Sequence, residues 1–167
     1  MTSTSIGFDP SFRHGVLVKA LFEFNSNQKD KIIATKTLYS WGRKGDGISV
    51  KDKTGDIFNF ANLIISKLPS EENRIRHPIG IDWEPQSVYW RATKVQVVQM
   101  SLFLGYLARG FMTIGYPTVF ITPGTVREFF GIRSRSAHKE VVHKTFLQKV
   151  ELSPEVQSKL NVNKKRA

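Results

Sequence analysis

The sequence contains no cysteine, which excludes disulfide bonds, thiolate metal sites, iron–sulfur clusters and thiol nucleophiles. Acidic residues are also scarce, since 14 Asp and Glu stand against 25 Lys and Arg and leave a formal net charge of +11. Such an excess of positive charge repels itself in the folded chain and attracts polyanions. Nucleic acid is the commonest polyanion and an anionic membrane is the second, so the composition favours these two partners.

The short motifs of the common enzyme classes are absent as well. The sequence has no GxxxxGK[ST] loop, no GxGxxG, no HExxH and no GxSxG. His138 and His143 are five residues apart, whereas two ligands on one helical face are three or four apart. Asp82 and Glu84 are close in sequence, but no motif marks them as a metal site or an acid–base pair. We therefore expect a protein that is not an enzyme and uses no metal or other cofactor.

No apolar run is long enough to predict a membrane span. The longest apolar region, 95–114, is interrupted by Gln96, Gln99, Ser101 and Arg109. A buried core helix is the better interpretation of this region. The first thirty residues also lack the basic and then apolar pattern of a secretory signal. We accordingly expect a cytoplasmic protein.

What the sequence does contain is a set of strand patterns followed by helix patterns. Two β-branched and aromatic segments, 16–24 and 31–41, flank the turn residues 25–27 and predict an antiparallel hairpin. A short strand is expected at 48–50. Helices are expected at 57–68, at 91–112, at 136–150, and after Thr122 and Ser153, each of which caps a helix that begins with proline.

These patterns predict an α+β fold, in which an N-terminal antiparallel hairpin or small sheet packs on a mainly helical C-terminal half. Residues 1–14 are polar and predict a flexible arm, and 161–167 predict a basic tail. The segment between them, 15–160, is expected to be a single basic domain. The stretch 70–90 carries two prolines, Pro78 and Pro85, and predicts a long irregular loop.

Basic residues cluster in several parts of the chain where contact with phosphate is expected. Arginine forks to phosphate and stacks on aromatic rings, lysine adds diffuse attraction, and tryptophan stacks on unpaired bases. Structural roles are the alternatives: a solvated helix face for the C-terminal run, a loop pinned by its tryptophans, and an internal ion pair for Arg109. The candidate RNA-binding residues are Arg43, Lys44, Arg74, Arg76, Trp90, Arg91, Lys94, Arg109, Arg133, Arg135 and Lys139.

Four short stretches occur in the same order as in the orthobunyavirus nucleocapsid proteins, and the sequence resembles that family in them. This resemblance implies a viral protein that coats RNA through a basic groove, links to its neighbours by terminal arms, and resides in the cytoplasm or the virion. It also implies that Arg109 matches a basic position of that family. The stretches are Gly7-Phe8-Asp9-Pro10, Asn73-Arg74 with Pro78-Ile79-Gly80, Gly105-Tyr106-Leu107-Ala108-Arg109, and Phe120 with Pro123-Gly124-Thr125 and Phe129.

The function expected from the sequence is that of a non-enzymatic, nucleocapsid-like RNA-binding structural protein. It would coat RNA, preferably single-stranded, through phosphate contacts with little sequence specificity, and it would associate with itself. One alternative is a membrane-apposed matrix-type protein that binds an anionic lipid surface. Another is a DNA-binding regulator that uses the helix at 136–150 for recognition.

Overall fold

The structure is a computed structural model that describes residues 1–12, 14–42, 54–70, 72, 74–83, 94–133 and 139–166. Side chains are described for the same residues except 54, 55, 139 and 162–166. The strand expected at 48–50 lies outside the described residues.

The described residues form one mixed six-stranded sheet with the strand order β5-β4-β1-β2-β3-β6, together with five α-helices. A single 3-10 turn, Arg74–Arg76, precedes β4. The strands are β1 (Thr2–Asp9), β2 (Gly15–Glu23), β3 (Asp30–Trp41), β4 (Ile79–Asp82), β5 (Thr118–Ile121) and β6 (Val150–Leu152). The helices are α1 (Thr54–Ser66), α2 (Lys94–Thr113), α3 (Pro123–Phe129), α4 (Lys139–Lys149) and α5 (Pro154–Arg166).

The predicted N-terminal hairpin is confirmed, and it belongs to a larger sheet. Strands β2 and β3 pair antiparallel along their length, with Gly15 opposite Trp41 and Glu23 opposite Lys31. Strand β1 adds to the other side of β2, also antiparallel. The three strands therefore make an antiparallel N-terminal sheet, as the α+β prediction required, and most of the helices follow in the C-terminal half.

The segment 1–14, expected to be an arm, contains β1, which lies inside the sheet between β4 and β2. The prediction gave weight to the polar Thr and Ser residues of this segment. Threonine is nevertheless a good strand former, and Ile6 and Phe8 alternate with smaller or polar neighbours, as in a half-buried strand. Both side chains are buried, so the start of the chain is part of the core.

Three short strands extend the sheet by parallel pairing, which the sequence analysis did not predict. β4 pairs parallel with β1, β5 pairs parallel with β4, and β6 pairs parallel with β3. β4 lies within the stretch 70–90 that was expected to be irregular. It has only four residues and one of them is glycine, so its periodicity is too short to distinguish from a loop.

One face of the sheet carries the hydrophobic core. Ile6, Phe8, Ile79 and Ile81 are at most 2% exposed and pack with buried residues of α1 and α2. The ring of Phe8 meets that of Phe111 in α2, with centroids 5.9 Å apart. The apolar segment predicted to form a buried core helix is therefore α2, whose inner side packs on this face. Within the described residues, no helix has the length and apolar character needed to cross a membrane.

The helix starts predicted from Ser or Thr before proline are confirmed. Thr122 Oγ1 accepts a hydrogen bond from the Thr125 amide, and Pro123 is the first residue of α3. Ser153 is buried, and its Oγ accepts from the Val156 amide at the start of α5 while donating to the Ile33 carbonyl. The segment 161–167, expected to be a tail, continues α5 as far as Arg166.

Candidate functional site

A pocket of about 810 Å³ opens on the face of the sheet opposite the α1–α2 core. Its floor consists of residues from β1, β2 and β4, and helices α3 and α4 contribute the facing wall. The pocket lies at the carboxyl ends of the parallel strands β1, β4 and β5, where the chain leaves the sheet. In open sheets of this kind, the crevice outside the carboxyl ends of parallel strands is the common place for a ligand.

Two aspartates face this pocket from neighbouring strands. Asp9 is the last residue of β1 and Asp82 is the last residue of β4, and both side chains are exposed. Phe8 pairs with Ile81, so the two aspartates occupy the next position on two parallel strands. Neighbouring strands are about 4.8 Å apart, and residues at the same register position point to the same face. The pairing therefore brings two carboxylates together at one edge of the pocket.

The chain around Asp9 is held by contacts of the segment that follows it. Trp41 donates a hydrogen bond from Nε1 to the Ser11 carbonyl at 2.8 Å. Phe12 is buried, and its ring packs on Phe103 with centroids 5.0 Å apart. Gly15 lies directly against the Trp41 indole, where a β-carbon would overlap the ring. These contacts fix the path of the chain as it leaves β1 and so fix the position of Asp9.

The chain around Asp82 is held by β5. Asp82 pairs with Ile121 in the β4–β5 ladder, and the Trp83 amide then donates to the Ile121 carbonyl at 3.0 Å. The Trp83 ring also meets the Phe120 ring, with centroids 5.8 Å apart. The backbone before and after Asp82 is therefore paired with β5, and this pairing holds the carboxylate at a rigid strand end.

The wall facing the aspartates comes from α3 and α4. Arg127 of α3 and His143 of α4 both line the pocket, together with Val142 and two phenylalanines. Arginine binds phosphate well, and histidine exchanges a proton near neutral pH. In the sequence, His143 stood out only through its spacing of five residues from His138, which lies outside the described residues. The structure instead brings His143 to the same pocket as Asp9 and Asp82.

The donor set suits a hard divalent cation. Mg²⁺ is usually held in proteins by one or two carboxylates, with phosphate oxygens of the substrate and water as the other ligands. Two carboxylates at neighbouring strand ends repel each other, and a bound cation relieves that repulsion. Among the described residues no group of three or more His, Asp or Glu side chains could hold a metal ion. Glu84 lies outside the described residues.

Arg74, predicted to contact RNA, has its guanidinium occupied within the fold. Its Nη1 donates to the Ile114 carbonyl at 2.7 Å and its Nη2 donates to Ser70 Oγ at 3.2 Å. The group also lies 5.9 Å from the centre of the Tyr116 ring. These contacts link the turn before β4 to the end of α2, on the side of the sheet where β4 begins.

The other described candidates do not converge on one groove. Arg76 is exposed in the same turn as Arg74, and Arg133 is exposed just after α3. Lys94 and Arg109 are exposed near opposite ends of α2. Lys139 is described only as the first residue of α4. Arg43, Lys44, Trp90, Arg91 and Arg135 lie outside the described residues, so the role of the whole set in binding stays a prediction.

Similarity to known proteins is found at the level of structure. No protein-family model matches the sequence, and no curated protein matches it. The structure is similar to that of Thermus thermophilus RuvC, with 15% identity, a TM-score of 0.51, and coverage of 87% of this chain and 79% of that one. The same protein in complex with a Holliday junction substrate gives 14% identity, a TM-score of 0.51, and coverage of 89% and 79%. The yeast mitochondrial Holliday junction resolvase Ydc2 gives 14% identity, a TM-score of 0.58, and coverage of 95% and 68%.

The chain therefore has the fold of Holliday junction resolvases, and this finding overturns the function expected from the sequence. The expectation of a non-enzymatic protein that coats RNA is wrong, because the similar structures are those of a Holliday junction resolvase and of RuvC in complex with a Holliday junction substrate. The positive charge is evident from the composition. The two aspartates become neighbours only through the pairing of β1 with β4, which the composition does not indicate. The resemblance to orthobunyavirus nucleocapsid proteins is not tested by these structures and stays a prediction.

Proposed function

We propose that this protein is a divalent-cation-dependent nuclease that hydrolyses phosphodiester bonds in branched DNA. The observation that carries the proposal is the position of Asp9 and Asp82 at the same register of two adjacent parallel strands, facing one pocket. The shared fold with two resolvases supports branched DNA as the substrate class.

Asp9 and Asp82 would hold the cation, because their carboxylates are the hard oxygen donors at this edge of the sheet. A divalent cation in such a site stabilises the negative charge that develops on a phosphodiester during displacement. The short strands and the anchored segments beyond them keep the two carboxylates in a fixed relation, so little reorganisation is needed when substrate binds.

The reaction forms a bond from a water oxygen to phosphorus and breaks the bond from phosphorus to one sugar oxygen. The water loses a proton, and the departing sugar oxygen takes one up. His143 lines the pocket from α4, and histidine is the side chain that most often transfers protons in catalysis. Arg127 lines the same pocket and supplies positive charge toward the phosphate.

The net charge of +11 supports binding of a DNA substrate over a larger surface than the pocket. Phosphates attract Lys and Arg over a Debye length of about 10 Å at 0.1 M salt, and the release of counterions makes the affinity fall with salt. Branched DNA presents several phosphate backbones close together, so a strongly basic protein gains more from it than from a single duplex.

The experiment that tests the proposal compares four substrates with one preparation of protein. A four-way DNA junction, a linear duplex of the same sequence, a single DNA strand and a single RNA strand are incubated with Mg²⁺ or with EDTA. We expect cleavage of the junction with Mg²⁺, at least tenfold slower cleavage of the linear duplex, and no cleavage with EDTA. Binding of the junction without cleavage at any Mg²⁺ concentration would overturn the proposal.

A matched control separates this activity from a contaminating nuclease. Asp9→Asn keeps the size and shape of the side chain and removes the charge that would bind the cation. We expect this variant to bind the junction within a few fold of the wild-type affinity and to lose cleavage. Cleavage that survives in the purified variant would mean that the activity does not come from this site.

A further inference from the structure

The pocket extends well beyond the two carboxylates, and its inner part is apolar. Two residues inward from Asp9 and Asp82 lie Gly7 and Gly80, which pair with each other across β1 and β4. The same face of β2 adds Val16 beside Asp9 and Val18 beside Gly7. The sheet therefore presents two carboxylates at its edge and two glycines just behind them, with a valine of β2 beside each row.

The two glycines differ in the space above them. A β-carbon added to Gly7 would have no atom within 4 Å, whereas one added to Gly80 would lie 2.7 Å from Ile121 Cδ1. The space beside Gly80 is thus filled by a neighbouring side chain, and the space above Gly7 is open. Because Gly7 lines the pocket, this open space is the floor of the pocket's inner part.

The opposite wall of this inner part is aromatic and aliphatic. Phe130 and Phe146 both line the pocket, and their rings meet at right angles with centroids 5.8 Å apart. Val126 and Val142 complete the wall from α3 and α4. A volume of about 810 Å³ with apolar walls and a few polar groups at one edge is typical of a site for a small molecule.

We infer that this inner part receives one nucleobase, lifted out of the stack of the strand that is cut. The inference rests on the proposed function, because a strand whose phosphate lies at Asp9 and Asp82 brings its own bases within reach of the pocket. Enzymes that act on nucleic acid outside the stack hold the displaced base between aromatic and apolar side chains. Cleavage would then depend on the identity of one base near the cut phosphate.

Gly7→Leu is the variant that tests this inference. The open space above Gly7 accepts the new side chain, which would occupy the floor where the base is expected. Gly105→Leu is the matched control, because Gly105 also has open space around it but lies on α2, on the other face of the sheet. Val18→Phe fills the pocket from the neighbouring strand and replaces Gly7→Leu if that protein does not fold.

The first measurement is single-turnover cleavage of four-way junctions in which the base at each position near the cut is varied among the four bases and an abasic site. At one position we expect the cleavage rates of wild type and of Gly105→Leu to differ at least tenfold between the best and the worst base. This ratio is the spread. We expect Gly7→Leu to reduce that spread to threefold or less while it still cleaves the abasic junction. An unchanged spread in Gly7→Leu, or no spread in wild type, would overturn the inference.

The second measurement does not require cleavage. A junction carrying 2-aminopurine at single positions is bound in EDTA, and the fluorescence of this base changes when it leaves the stack. A change at one position with wild type and Gly105→Leu, and none with Gly7→Leu, supports the pocket even if the protein proves not to be a nuclease. No change at any position with wild type, or an equal change with Gly7→Leu, overturns it.

Discussion

The two faces of strands β1 and β4 have different roles, because one packs against the core helices and the other lines the pocket. On β1 and β4, one set of residues, Ile6, Phe8, Ile79 and Ile81, is buried against α1 and α2. The residues between and after them, two glycines and two aspartates, lie on the other face and line the pocket. Strand periodicity thus separates folding from chemistry within a few consecutive residues. The stable face fixes the geometry, and the opposite face is free to be polar and open.

Among variants of the two faces, the largest effect that we expect is the loss of cleavage in Asp82→Asn, on the pocket face. Removal of one carboxylate from a metal-dependent centre should lower the single-turnover rate by about a thousandfold or more. The melting temperature should stay within about 3 °C, because Asp82 is exposed and contributes no core packing. Asp56→Asn is the matched control on α1, and it should cleave at the wild-type rate. A large loss of stability in Asp82→Asn would show that the pocket face also contributes to folding, which would contradict the division of roles between the two faces.

The next effect is expected from Phe8→Ala, one residue before Asp9 on the opposite face. Phe8 is 2% exposed and contacts Trp41 and Phe111. Truncation of a buried phenylalanine costs about 3–5 kcal/mol of the free energy of unfolding, which chemical denaturation measures. Phe24→Ala serves as control, because Phe24 is 46% exposed, and we expect less than about 1 kcal/mol there. Equal losses in both variants would contradict the assignment of the core face.

A smaller effect should distinguish the two glycines of the pocket face. Gly80→Ala would place a β-carbon 2.7 Å from Ile121 Cδ1, which is the end of a flexible, half-buried side chain that can turn aside, so we expect a loss of about 1 kcal/mol or less. Gly7→Ala meets no atom and should be neutral or slightly stabilising, since alanine restricts the unfolded chain. The difference in denaturation midpoint between the two variants is the measurement. If Gly7→Ala were the more destabilising of the two, the open floor would be in doubt.

The last expected effect concerns Arg74, at the end of the sheet away from the aspartates. Arg74→Met should lower stability by about 1–2 kcal/mol, because the Ile114 carbonyl loses a charged donor. It should leave junction binding within twofold of wild type. Arg76→Met, in the same turn but exposed, should change stability by less than about 0.5 kcal/mol. A fall in DNA affinity much larger for Arg74→Met than for Arg76→Met would restore the binding role expected from the sequence.

Much of the fold could be predicted from local sequence patterns. The hairpin of β2 and β3, the long helix α2 and the helix starts at Thr122 and Ser153 follow from periodicity and capping chemistry. Strand β4 could not be predicted in this way, because its four residues include Gly80 and give no clear period. The parallel pairing of the short strands also has no local signal. β1 was missed because its polar residues also fit an exposed arm.

The site was harder to predict than the fold, because its parts are distant in sequence. Asp82 was noticed beside Glu84, but its partner Asp9 was named only within a short motif of a resemblance. Parallel pairing of β1 with β4 is what makes the two carboxylates neighbours. His143 reaches the same pocket from α4, and no spacing rule within one helix indicates that contact. Both aspartates end the same short pattern, an isoleucine, a glycine, an apolar residue and then the aspartate, and this is the one local signal that they share.

The most direct test of the central claim is a double-mutant cycle on the two aspartates. The single-turnover rate of junction cleavage is measured for wild type, Asp9→Asn, Asp82→Asn and the double variant. If the two carboxylates form one centre, each single substitution removes most of the rate and the double variant is no more than about tenfold slower than the slower single one. Losses that multiply in the double variant would mean that the two aspartates act independently, and the account of a common centre would be wrong.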